Sequence, residues 1–281
     1  MAFKMKGRIL FPLKIIILFC WIGVHLTSLL FSQNNYQDFD YQEIKYYSAK
    51  QEIPARIIEK LSRGGKEVIP DLCYTFAKVD WIEYDEVSAG QPLGEGLIKI
   101  LESIARNRPD SIPEFNNQLK KPSFAVRRGV LSVLLNAEIT DPELIDGLGV
   151  VIKDNNKQMR VRAIRILNRM TDKRVVPVLK AALEREQNSV LRIEMSAGLA
   201  KHNDAAGRKN ILDGLRDADW RIREASAIWL REIKTQWSQE ALVNALKIEK
   251  TNIVRGAIVG SLQRLTGKTE HQVRQLYDKR K

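Results

Sequence analysis

Apolar and polar positions along this chain follow two nested periods. Within a unit, an apolar residue is followed by Arg and then, seven places on, by Leu: Val126-Arg127 with Leu134, Met159-Arg160 with Leu167, Leu191-Arg192 with Leu199, Ile222-Arg223 with Leu230, and Val254-Arg255 with Leu262. A spacing of seven or eight returns to the same face of a helix after two turns. From unit to unit the Arg advances by 33, 32, 31 and 32 residues. Self-similarity at such a period marks a stack of helical units, each of which buries its apolar face only against its neighbours. Ile53 with Leu61 and Leu93 with Leu101 keep the apolar spacing, with Pro54 and Gly94 where Arg stands later, and read as two degenerate units.

The other half of the unit has its own template. Val68-Ile69-Pro70-Asp71-Leu72 with Phe76, Ile112-Pro113-Glu114-Phe115 with Leu119, and Val176-Pro177-Val178-Leu179 with Leu183 each place Pro near the start of an apolar pattern. Proline is tolerated in the first turn of a helix, where its missing N–H would have no partner. Each unit is therefore expected to be two helices. The first begins near the capping residues Asp141, Asp172, Asp204 or Ser238, and the second at the apolar-Arg pair. This gives about seven helix pairs over residues 52–268, closed by a capping helix over 269–281.

The start of the chain has a different pattern. Residues 15–31 carry no formal charge, follow Lys4, Lys6, Arg8 and Lys14, and precede Asp38 and Glu43. Seventeen residues lie at the short end of a bilayer span, and Ile9 to Leu13 lengthen it if Lys14 extends to the interface. Residues 1–32 are thus expected to be a signal anchor that meets the membrane through residues 9–31, with 33–51 a juxtamembrane linker. The basic flank predicts a cytoplasmic N-terminus and an extracytoplasmic, periplasmic body. No pair of small residues after Phe31 advertises cleavage, which would release the body into the periplasm, and Phe19 before Cys20 does not suit a lipid-attachment site. A buried first helix is the alternative.

Composition refines this picture. With 44% hydrophobic and 28% charged residues the 281-residue chain can fold, and its net charge of +12 falls to about +8 once the four N-terminal cations are set aside. Such a body suits an acidic partner. Cys73 is the body's one cysteine, and no Cys/His cluster proposes a metal or cofactor. Gly267-Lys268-Thr269 lacks the upstream Gly of a phosphate loop, since Leu262 stands there. His202 and His271 are isolated, and neither is followed by Glu. No nucleophile arrangement is legible either, so the expectation is a protein without catalytic residues.

Six places before the Arg of the last four units stand Asp154, Glu186, Asp217 and Glu249, preceding Arg160, Arg192, Arg223 and Arg255, while Lys121 precedes Arg127. A carboxylate in the turn and an Arg at the next helix start can bond within and between units, so these eight residues are expected to form a structural ladder. This acidic-x5-Arg-x6-Leu pattern, with Pro in the preceding helix, resembles HEAT repeats in their short bacterial, phycobilisome-lyase-type form, from about residue 50 to 268 and most clearly from Pro122. The resemblance implies an all-α, right-handed α-solenoid whose second helices line a concave, macromolecule-binding face. Pro54, Gly94 and the long turn Val79 to Pro92 depart from the family pattern.

On that face Arg162, Arg165 and Arg169 share one helical side, Lys201 and Arg264 occupy the repeat position of Arg169, and Arg231 lies beside Glu232 at that position. These six cations are the expected contacts for a protein partner, acidic or associated with the cell envelope. Trp220, Trp229 and Trp237 gather in one region. Together with nearby Arg they invite comparison with HEAT-like DNA glycosylases, although aromatics more often fill cores and the membrane segment argues against nucleic acid. The insert 79–92 holds four carboxylates with Trp81 and Tyr84, which suits either contact with a basic partner or a plain surface loop. The expectation is a membrane-anchored scaffold for protein interaction, with a lyase of the bilin type or a DNA binder as the alternatives.

Overall fold

The computed structural model describes Ile44 and residues 52–79 and 92–277. The expected anchor at 9–31, residues 80–91 of the insert and the basic end 279–281 lie outside the described residues. Among the described residues all regular structure is helical. Short 3-10 turns introduce α2, α4 and α6.

The chain runs α1 Ala55–Ser62, α2 Ile69–Thr75, α3 Pro92–Asn107, α4 Ile112–Leu119, α5 Phe124–Asn136, α6 Ile145–Val151, α7 Lys157–Leu167, α8 Val175–Leu183 and α9 Ser189–Lys201. It continues through α10 Ala205–Gly214, α11 Trp220–Ile233, α12 Gln236–Ile248, α13 Asn252–Thr266 and α14 Glu270–Tyr277. From α2 to α13 these form six complete pairs. α1 packs on α3 as the second helix of a still earlier unit would. Ile44, in the stretch expected to be a linker, is helical and fully buried in the first core. At the other end α14 caps the stack by burying Val273.

Second helices pack on second helices through α1, α3, α5, α7, α9, α11 and α13, and the first helices α2, α4, α6 and α8 line up beside them. The result is two helical layers with the core between. Ile53, Leu61, Leu93 and Leu101 of the degenerate units are all buried, so those units stack as the later ones do. Burying such apolar area is the main stabilising term, at about 25 cal/mol per Å². The core has two clusters that meet on α9, where Leu191, Met195 and Leu199 belong to the first and Ile193, Ala197 and Ala200 to the second. Packing is close where Phe76 lies on Gly129: a Cβ there would sit 2.2 Å from the ring, so α5 fits over the ring only without a side chain.

The turns correct the expected helix starts. Each second helix from α5 to α13 begins three residues before its Arg, at 124, 157, 189, 220 and 252. The residue just ahead is the cap in four of them: Ser123 accepts from Val126 N at 3.4 Å, Asn156 from Gln158 N at 2.8 Å, Asn188 from Leu191 N at 3.1 Å, and Asp219 from Arg221 N at 2.9 Å. These bonds satisfy amides that a helix start leaves without partners. Among the first helices Asp204 caps α10 through Gly207 N, and Asp141 caps the 3-10 turn ahead of α6 through Glu143 N, whereas Asp172 accepts Arg174 N in the turn before α8 without capping that helix. Ser238 does not start α12. It is the third helical residue, in a capping box in which Ser238 N bonds Thr235 Oγ1 at 3.3 Å and Thr235 N bonds Ser238 Oγ at 3.1 Å.

Candidate functional site

Two sets of cations lie along the second helices, and their surroundings separate them. The first set is the ladder. Arg160 donates through Nη1 to the carbonyls of Asp154 and Asn155, both at 3.0 Å, and grips Glu186 of the next unit with Nε at 2.7 Å and Nη2 at 3.2 Å. Arg223 repeats this on the carbonyls of Asp217 and Ala218 and the carboxylate of Glu249, again at 2.7 and 3.2 Å, and adds Thr251 Oγ1 at 3.1 Å. Arg127, which sequence reasoning left out of the ladder, bonds the carbonyls of Lys121 and Pro122 and the carboxylate of Asp154 at 2.6 Å. Within a unit the acceptor is therefore backbone, which is why Lys121 can stand where others carry an acid. The carboxylate serves the preceding unit's Arg.

One expected rung differs. Arg192 turns back to the carbonyls of Leu183 at 2.6 Å and Glu186 at 3.0 Å, and makes no ion pair with Asp217 among the described residues. Arg255 likewise reaches back, to Leu246 and Glu249 carbonyls at 3.0 Å, and is buried. The acids also brace their own turns: Asp154, Glu186, Asp217 and Glu249 each accept the backbone N–H two residues on at 2.8 Å. Burial alone would raise the Glu249 pKa, but bonds from Arg223 and from the Thr251 and Lys250 amides outweigh it and hold the carboxyl at about 2. Glu186 is lowered in the same way, its burial offset by Arg160 and Asn188 N. Fully engaged charges of this kind hold units in register.

The second set is the expected stripe, which the structure divides. Arg165, Arg169 and Arg264 are exposed, with no hydrogen bond or ion pair among the described residues. Arg162 is half-buried, with Nη1 3.4 Å from Ser132 Oγ, Lys201 is half-buried and donates to the Asn168 carbonyl at 3.1 Å, and half-buried Arg231 pairs with Glu232 at 2.9 Å. Burial lowers the Lys201 pKa, Glu232 opposes, and Lys234 and Arg169 lower it further, which places these four charges around one another. The stripe thus exists chiefly as a ridge at the C-terminal ends of α7, α9, α11 and α13. Cations there also complement the helix dipoles.

Sequence reasoning missed Glu194. It holds on α9 the register position that Arg162 holds on α7, is 8% exposed, and has an Oε2 with no partner among the described residues. Burial raises its pKa, while Arg165, a bond from the Trp229 indole and Lys157 pull the other way. The signal available in the sequence was an acid inside the otherwise small or apolar run Ile193 to Ala200. Trp229 and Trp237 pack against the second core as expected, but Trp220 is 39% exposed and contributes little to it.

Among the described residues no three His, Cys, Asp or Glu are grouped to hold a metal ion. Cys73 is buried, and that burial pushes its thiol far above the range of a reactive cysteine. No described helix is long and apolar enough to cross a membrane.

No curated protein matches the chain. The family model of HEAT repeats matches residues 112–200 and 182–263, more than half of the sequence and the part in which the Arg ladder and the two helical layers are most regular. With paired helices, repeated caps and a unit-to-unit ladder accounting for that match, the chain belongs to the HEAT repeats.

Proposed function

We propose that this chain is a non-catalytic scaffold that holds an acidic protein partner against its second-helix layer, with Arg165, Arg169 and Arg264 as the principal contacts. The observation that carries the reading is the division of the cations. The ladder's guanidiniums are taken up by carbonyls and carboxylates of the fold itself, whereas these three stand exposed and record no bond among the described residues. Long cations held free on a rigid layer accelerate encounter with an opposite charge and fix its register. Glu194 and Glu232 within the same region oppose a phosphate backbone and favour a protein whose charge is patterned.

The uncharged run 15–31 behind four basic residues supports a membrane-anchored form with the body outside the cytoplasm. Two measurements test the whole. The Arg165, Arg169 and Arg264 to Glu triple variant should lose more than tenfold of the crosslinked partner recovered with a tagged chain, with unchanged helicity. Equal recovery would remove the surface from consideration. A C-terminal tag should be cleaved by protease added to spheroplasts, and its protection would overturn the topology.

A further inference from the structure

We propose that the cleft between the first helices α10 and α12 is a second binding site, and that it takes an acidic peptide segment carrying one large apolar side chain. The spacing between successive first helices varies along the stack. Between α4 and α6 the Gly147 N–H bonds Asn116 Oδ1 at 2.7 Å, and a Cβ on Gly147 would meet that oxygen at 2.6 Å. Between α10 and α12 there is instead a cavity of about 250 Å³. That lies just under the usual range of small-molecule pockets, about 300 to 1,000 Å³, and suits a single anchoring side chain better than a cofactor.

Two helix faces line it. Arg208 and Leu212 are one turn apart on α10, with Arg216 just beyond its end, while Trp237, Ala241 and Ile248 lie along one side of α12. The apolar part is open to solvent: Ile248 is 68% exposed, although a large aliphatic gains from burial. The charge of the lining is net positive. The Arg208 guanidinium stacks 4.5 Å from the Trp237 ring centroid, and neither it nor Arg216 has a carboxylate partner among the described residues. Glu240, the one acid of the cleft, accepts from Gln236 Nε2 at 2.9 Å, so two guanidiniums share the lining with one carboxylate. A guanidinium over an indole face can still offer N–H groups to a carboxylate. An acid beside an apolar side chain would therefore meet both halves of the cleft at once.

The site lies in the other helical layer from Arg165, Arg169 and Arg264, so the proposal stands apart from the reading above, and the test keeps the two distinguishable. The tagged full chain is panned against a displayed library of random dodecapeptides, and enriched peptides are titrated by fluorescence anisotropy. The expected peptides place Asp or Glu within a few residues of Leu, Ile, Phe or Trp. Arg208→Glu and Ile248→Asp should each weaken them at least tenfold, with wild-type circular dichroism and melting, and Arg208→Lys should give an intermediate loss by keeping charge without the planar fork. The triple Glu variant of the second layer should change their affinity less than twofold. No enrichment, enriched peptides lacking acids, or wild-type affinity in both cleft variants would overturn the proposal.

Discussion

Glu249 and Asp217 hold the same position in consecutive units, and the ladder predicts unequal costs for neutralising them. Glu249 takes two bonds from Arg223 and two from the amides of Lys250 and Thr251, with its side chain 7% exposed. Asp217 accepts the Asp219 amide but pairs with no Arg among the described residues. A carboxyl moved from 4.5 to about 2 corresponds to ~3 kcal/mol of preference for the charged form, at about 1.36 kcal/mol per unit. Glu249→Gln should therefore cost about 2–3 kcal/mol at pH 7, whereas Asp217→Asn, which keeps the capping oxygen, should cost under ~0.5 kcal/mol. The sign with pH follows from the depressed folded value: the contribution is complete above the unfolded pKa near 4.5 and is lost as pH falls toward 2. Urea unfolding followed by circular dichroism at pH 7, 4 and 2.5 should show the wild type converging on Glu249→Gln in acid. Equal costs for the two substitutions at pH 7, or a Glu249→Gln deficit that persists unchanged at pH 2.5, would refute the ladder as a source of stability.

The remaining predictions use the same assay. Gly129→Ala should destabilise by about 2–3 kcal/mol, because its Cβ would meet the buried Phe76 ring at 2.2 Å, while Gly260→Ala, with nothing within 4 Å, should stabilise by ~0.5–1 kcal/mol through helix propensity. A Gly129→Ala variant as stable as the wild type or more so would show that the packing at Phe76 is looser than described. Glu194→Gln should stabilise the fold at neutral pH, because burial makes the charged carboxyl unfavourable there, and the gain should fade below the unfolded pKa, where both side chains are neutral. A loss of stability at pH 7 would mean that Trp229 and Arg165 favour the charged form enough to outweigh burial.

The period was legible because each unit must present the same interface to the next, so Leu134, Leu167, Leu199, Leu230 and Leu262 recur as fully buried residues or nearly so. Helix starts were less legible. The apolar-Arg pair marks where the buried face begins, and the backbone turns into a helix two residues before that pair, at the polar cap. The ladder's members were evident and its direction was not. A six-residue separation suggests pairing within a unit, but at the fourth helical position the guanidinium lies over its own turn's carbonyls and reaches the carboxylate 26 or 27 residues ahead. Helical periodicity placed Arg162, Arg165 and Arg169 on one side, yet it cannot tell how closely α9 and α5 approach α7. That approach half-buries Arg162 beside Ser132.

What the repeat holds constant is what stacking requires, so departures from it are where a binding role can be added without loss of the fold. Arg160 and Arg223 are interchangeable in their geometry, down to the two distances on the following carboxylate. A partner recognising them would find the same feature twice and no register. Glu194 in place of Arg162 and Arg208 against Trp237 each occur once among the described units. Unique features on a periodic frame can fix which unit a ligand occupies. Glu194 also shows the cost of such a departure, since an acid placed where stacking supplies no partner keeps an unsatisfied oxygen. A position that remains electrostatically unfavourable in the free protein is one a bound donor can relieve, so Glu194→Gln should raise stability while weakening whatever partner relies on that donor.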